Sequence, residues 1–134
     1  MTEPTEEQLD ELDRALATGV MGWECKLVTM AVYGDVEREV WPVWHNPSGT
    51  PQNRPRPTRN DADMCAVLRK CGELNLAPQV IGPNATLRDG KWATMITDRT
   101  KSRGRPCGHI STDLRLTVCI GAAQAFGLQG WWTE

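Results

Sequence analysis

The chain has 134 residues, 40% of them hydrophobic and 24% charged, with a formal net charge of −2. That length suits one domain over residues 1–134 with a core that needs no disulfide or metal staples, and the composition argues against wholesale disorder and against a disulfide scaffold. No stretch approaches the roughly 18 uncharged apolar residues of a membrane span, and the acidic start has the wrong sign for a leader peptide, so the expected compartment is the cytoplasm.

The first element is a helix from about Thr5 to Thr18. Thr5 and Gln8 make a capping-box pair, acids fill the first turns where the helix dipole favours them, and Leu9, Leu12 and Leu16 repeat as one apolar stripe. Gly19 is placed as its C′ glycine. A strand is expected from Cys25 to Val32, a turn at Tyr33-Gly34-Asp35, and a second strand over Arg38–His45 whose Pro42 confines it to an edge or a bulge. The run from Pro51 to Pro57 cannot be helical and reads as an extended loop.

A second helix spans Asp61–Cys71, capped by Asn60 or Asp61 and closed by Gly72. Strands at Leu74–Ile81 and Lys91–Thr97 are expected to pair as a hairpin, with Trp92, Thr94 and Ile96 sharing a face. A basic loop over Asp98–Gly108 leads to a last helix from Ser111–Asp113 to Phe126, apolar nearly all round and therefore deeply buried. The order α-β-β-α-β-β-α implies an α+β fold, an antiparallel sheet of about four strands covered by helices.

Five cysteines is an odd number, and Cys25, Cys65, Cys71, Cys107 and Cys119 include no Cys-x-x-Cys pair, so reduced thiols are expected. A zinc site from Cys65, Cys71, Cys107 and His109 lacks the two close ligand pairs of a structural site, and neither a metal nor a cofactor is expected. Asp61 and Asp63 could hold a divalent ion, but at a helix start they read first as cap and dipole partners. No phosphate-loop or dinucleotide glycine spacing occurs. Cys107 and His109, two apart before a helix start, are the one pairing that would suit a thiol enzyme, and the expectation for the chain is no enzymatic activity.

The near-neutral charge conceals a division. Residues 1–24 carry seven acids and one base, leaving 14 bases and 10 acids on the remainder. The bases gather in two knots, Arg54, Arg56 and Arg59 in one and Arg99, Lys101, Arg103 and Arg105 in the other. The second knot alternates bases with small residues, which in an extended chain puts the bases on one side. Guanidinium groups so placed suit nucleotide or nucleic-acid phosphates, or an acidic protein surface. The acidic first helix offers the opposite surface, to a basic partner. Trp131 and Trp132 close the chain, either docked on the core or exposed as interface anchors.

Several of these pieces, taken in order, resemble the phage α-β-α-sandwich (ABA sandwich) family of small phage and prophage accessory proteins. They are the first helix leading into Met21-Gly22-Trp23-Glu24, Trp44 before Asn46-Pro47-Ser48-Gly49, the helix begun at Asp61, the strand around Trp92, and the closing helix with Leu116-Thr117-Val118-Cys119-Ile120-Gly121-Ala122-Ala123. The resemblance covers about residues 5–127. It implies the sandwich fold and a phage origin, hence a bacterial host cytoplasm. The expected role is a non-enzymatic inhibitor that binds a host macromolecule, above all an antiviral defence complex in the manner of anti-CRISPR proteins. The expected contact residues are Arg54, Arg56, Arg59, Arg99, Lys101, Arg103, Arg105, Trp131 and Trp132. A phosphate binder acting through residues 99–105 is the alternative, and a thiol enzyme using Cys107 the third reading.

Overall fold

A computed structural model describes residues 3–31, 38–82, 90–98 and 107–133, the side chains of residues 30, 31, 38, 39, 98, 107 and 108 excepted. Its elements are α1 (Glu6–Gly19), β1 (Glu24–Ala31), β2 (Arg38–His45), α2 (Asp61–Glu73), β3 (Leu76–Ile81), β4 (Trp92–Asp98), β5 (Cys107–Ser111) and α3 (Leu114–Ala125). The fold is α+β with antiparallel strands throughout. The strands form two sheets instead of one, a β1-β2 hairpin and a three-stranded β3-β4-β5 sheet. The fifth strand begins in the last two residues of the expected basic loop and runs on to Ser111, where the last helix was expected to start. Its sequence, Cys-Gly-His-Ile-Ser, has no apolar alternation, and its pairing is supplied by β4, where Ala93 meets Ile110 and Thr94 meets His109.

Each helix begins on a side-chain cap. Thr5 accepts from the Gln8 backbone N–H at 3.2 Å while the Gln8 side chain accepts from the Thr5 N–H at 2.9 Å. Asn60 caps α2 by accepting from Asp63 N–H, and Asp113 caps α3 by accepting from Arg115 and Leu116. Such caps contribute about 1 kcal/mol apiece. The helix ends depart from the sequence expectation in two places. α1 runs through Gly19, where an added Cβ would lie 2.5 Å from Leu128 Cδ2 and would have to push that side chain aside. α2 runs past Gly72 to Glu73, and Asn75 takes the left-handed turn at φ 60°.

The core lies between the helices and one face of the three-stranded sheet. Leu12, Leu16, Val67, Cys71, Ile96, Cys119 and Ile120 are buried there, with Leu9 packed at its margin. α3 packs against β4, β5, α1 and α2, and it is buried along Leu116–Ala123. Gly121 lets it approach the sheet, for a Cβ there would stand 3.2 Å from Thr94 Cγ2. Each fully buried large aliphatic side chain contributes about 1.5–3 kcal/mol, so the stripe of α1 and the body of α3 dominate stability. The β1-β2 hairpin stands apart from this core. Among the described residues its one substantial contact with another helix or strand is between β1 and α1. Among the described residues no helix is long and apolar enough to cross a membrane.

Candidate functional site

The first basic knot folds back onto the acidic helix. The Arg54 guanidinium forms an ion pair with Asp10 and lies over the Trp44 ring, 5.6 Å from its centroid. Arg59 pairs with the Glu6 carboxylate and reaches the Glu6 carbonyl oxygen at 3.5 Å. Between them Thr58 is clamped by Asp13, whose carboxylate accepts from the Thr58 N–H at 2.9 Å and from its hydroxyl at 2.8 Å. The Arg56 backbone N–H donates to Asp63 at 2.9 Å, and the Arg59 carbonyl accepts from Arg115. Two of the three arginines expected to meet a partner thus meet α1 instead, and only Arg56 is left exposed. Arg99, Lys101, Arg103 and Arg105 lie outside the described residues.

Asp13 counted as a surface acid in the sequence, yet it is fully buried among Leu12, Leu16 and Ala17. Loss of hydration raises its pKa above the ordinary 3.8, and the opposing pull of the Thr58 hydrogen bonds and the Arg54 and Arg59 charges does not cancel that rise. Its position gave a signal. It follows Leu9 by four residues and precedes Leu16 by three, which puts a carboxyl on the apolar stripe itself.

The tryptophan tail is docked. Trp132 is 4% exposed within the core cluster, and its indole N–H donates to the Leu128 carbonyl at 2.8 Å. The Gln124 side chain fixes its backbone by donating to the Trp132 carbonyl oxygen. Trp131 is half-buried, edge-on to Trp132, and donates from its indole to the Gln8 carbonyl at 2.9 Å. Both indole donors are therefore engaged within the fold.

Exposed apolar side chains occur on the three-stranded sheet, at Ile110 and Met95, and on both strands of the β1-β2 hairpin, which carries none of the residues expected to make contacts. Leu27 is 74% exposed, Val40 57%, Trp41 51% and Val28 38%. Cross-strand partners share a face, and the register pairs Val28 with Trp41, Leu27 with Pro42 and Thr29 with Val40. Val28 and Trp41 thus mark one face, and Leu27 and Val40 the other. The clue in the sequence was the adjacent apolar pairs Leu27-Val28 and Val40-Trp41, which in a strand put apolar side chains on both faces. Between the hairpin base and the 51–56 segment is an open trough of about 890 Å³ walled by Pro42, Trp44, Gln52, Arg54 and Arg56.

Thiol and imidazole chemistry has less support in the geometry. Cys71 and Cys119 are buried, and burial pushes Cys71 up to about 11 and Cys119 well above the ordinary thiol value, which suppresses the nucleophilic thiolate. Cys25 and Cys65 are exposed on separate elements. Cys107 opens β5, and its side chain lies outside the described set. His109 follows on the same strand, half-buried, at the wall of a 400 Å³ cleft shared with Leu116, Ile120, Trp131 and Trp132. His45 Nδ1 is 3.2 Å from the Val43 carbonyl oxygen. Among the described residues no three His, Cys, Asp or Glu side chains converge as a metal site.

No family model matches this chain, no curated protein matches it, and no solved structure matches it. The resemblance to the phage α-β-α-sandwich family accordingly rests on the sequence motifs alone.

Proposed function

We propose that the protein acts by binding another protein through the β1-β2 hairpin, with Trp41 as the anchor, and that it performs no chemistry of its own. The observation that carries this reading is the exposure of Leu27, Val28, Val40 and Trp41 on a hairpin that the core does not cover. Val28 and Trp41 leave apolar surface open on one face of the hairpin and Leu27 and Val40 on the other, and a two-stranded hairpin with both faces in water lacks the packing that a partner would supply. Tryptophan is the residue type that most often dominates such contacts. The resemblance to phage accessory proteins supplies the class of partner: a macromolecule of a bacterial host, foremost an antiviral defence complex that binding would block. The knot at 54–59 is a weaker candidate for the contact, because Asp10 and Glu6 already engage two of its three guanidinium groups.

The test is affinity capture by the tagged chain from extracts of several bacteria carrying defence systems, with mass spectrometry of what is retained. Trp41→Ala is run beside the parent. A specific partner whose affinity falls at least about 30-fold with Trp41→Ala, equivalent to the loss of roughly 2 kcal/mol expected of an anchor residue, supports the reading. Capture of nothing specific, or equal capture by parent and variant, overturns it.

A further inference from the structure

We propose that a second copy of this chain pairs with the free edge of β1, joining two hairpins into a four-stranded antiparallel sheet in the order β2-β1-β1-β2. The directions of the backbone groups decide which edge is available. Gln52 N–H donates to the Trp44 carbonyl oxygen at 3.0 Å, so the Trp44 carbonyl points away from β1. In an antiparallel ladder inward and outward residues alternate, and directly opposed residues point alike. Trp44 opposes Cys25, Pro42 opposes Leu27, and Val40 opposes Thr29. The outward-pointing residues are therefore Val40, Pro42 and Trp44 on β2, and Cys25, Leu27 and Thr29 on β1.

The two edges differ in what they offer. On β2 the 51–52 segment occupies the Trp44 position, with an isolated bridge between His45 and Pro51, and Pro42 has no N–H to present. On β1 the N–H and C=O groups of Cys25, Leu27 and Thr29 all face outward, and among the described residues β1 pairs with no strand but β2. An isolated two-stranded hairpin is marginal in water, and a third and fourth strand supply what it lacks. An unblocked edge beside exposed apolar side chains is a template for strand addition.

The occupant follows from the charges of β1 itself. Its ionic groups near the edge centre are Glu24 and Lys26, already paired at 3.6 Å. A twofold axis through Leu27 sets Leu27 against Leu27 of the second copy, Cys25 against Thr29 and Lys26 against Val28. No like charges are opposed, and Leu27, which is 74% exposed, is set against its own copy. Moving the axis by one residue, to Lys26, would oppose two lysines, so charge selects against that neighbouring register. The strand is thus its own complement in the Leu27-centred register. Because a short edge pairing covers less than the roughly 1,600 Å² of a standard interface, the dimer is reversible and concentration-dependent. The faces bearing Trp41 stay open, so this association is compatible with the partner binding proposed above and does not depend on it.

Sedimentation of the full chain over a concentration series is the primary test, and a reversible monomer–dimer equilibrium is expected. A single monomeric species at every concentration overturns the proposal, including the case in which that monomer binds a host protein. Leu27→Pro removes one outward N–H and no hydrogen bond within the hairpin, so it should abolish the dimer while circular dichroism retains the strand signal. Persistence of the dimer in that variant overturns the edge assignment. If Leu27→Pro instead loses the hairpin, Thr29→Cys decides. The new thiol would face Cys25 of the second copy at about 5.5 Å between Cα atoms, within the roughly 4.4–6.8 Å that a disulfide spans. Mild oxidation should link Thr29→Cys as a covalent dimer and leave Thr29→Ser unlinked, and failure to link excludes this register. Trp41→Ala should keep the dimer, which separates this association from the partner binding.

Discussion

Asp13 shows how one buried carboxyl sets the relation between two segments 45 residues apart. Its two oxygens hold the backbone and the hydroxyl of Thr58, and so fix the 54–59 loop over α1. Burial keeps its proton on to a higher pH than in the unfolded chain. Where a carboxyl has a raised folded pKa, the unfolded chain ionises first as pH rises. Stability contributed by the protonated form is then complete below the ordinary 3.8, declines as pH climbs toward the folded pKa, and stays lower beyond it. Asp13→Asn keeps an acceptor for the Thr58 N–H and gives its hydroxyl a donor, without a charge to desolvate. Urea unfolding in the acid-to-neutral range should show the parent losing stability relative to Asp13→Asn as pH rises. Parallel profiles would sink the assignment. Asp13→Ala leaves the Thr58 N–H without its acceptor and should cost about 1–3 kcal/mol.

Among elements, the C-terminal turn behaves as part of the core. Trp132 lies in the hydrophobic cluster with Leu12, Leu16 and Ile120, so Trp132→Ala should destabilise by about 3–5 kcal/mol, read as a shift in the urea midpoint at constant slope. Gly130→Ala probes the same packing from the backbone, because a Cβ there would lie 2.3 Å from the far edge of the Trp132 ring. That variant should also lower the midpoint, whereas Gly49→Ala, where nothing lies near the added carbon, should lose only what its φ of 86° imposes. The contrast between elements also explains what the sequence could disclose. Helices α1, α2 and α3 were legible because Thr5, Asn60 and Asp113 cap them locally, and the β3-β4 hairpin because Thr94 and Ile96 alternate with outward residues. Strand β5 was not, because β4 supplies its hydrogen bonds and its own five residues carry no pattern. The fate of the 54–59 arginines was hidden for a related reason. Glu6 meets Arg59 and Asp10 meets Arg54 only after folding, so a division of charge along the chain is not a division in space.

For the molecule as a whole, stability is unevenly distributed, and function is proposed at its weak end. The helices and the β3-β4-β5 sheet share one core, whereas among the described residues the β1-β2 hairpin contributes none of that core's residues and meets the other helices and strands chiefly through β1 against α1. Opening the hairpin exposes little that is not exposed already, since Leu27, Val40 and Trp41 are more than half in solvent when folded. Its free energy of opening therefore lies well below the global value, while β4 and α3 can exchange their amides only when the core itself opens. Hydrogen exchange followed by mass spectrometry at low protein concentration should find hairpin peptides at least about 100-fold less protected than peptides from α3, a gap of roughly 2.7 kcal/mol. Raising the concentration should protect β1 peptides selectively, because association at the β1 edge stabilises the closed hairpin by mass action and leaves α3 unchanged. Hairpin amides as slow as those of α3 at every dilution would mean that the hairpin opens only with the core, and the separation into a rigid body and a binding arm would fall with that result.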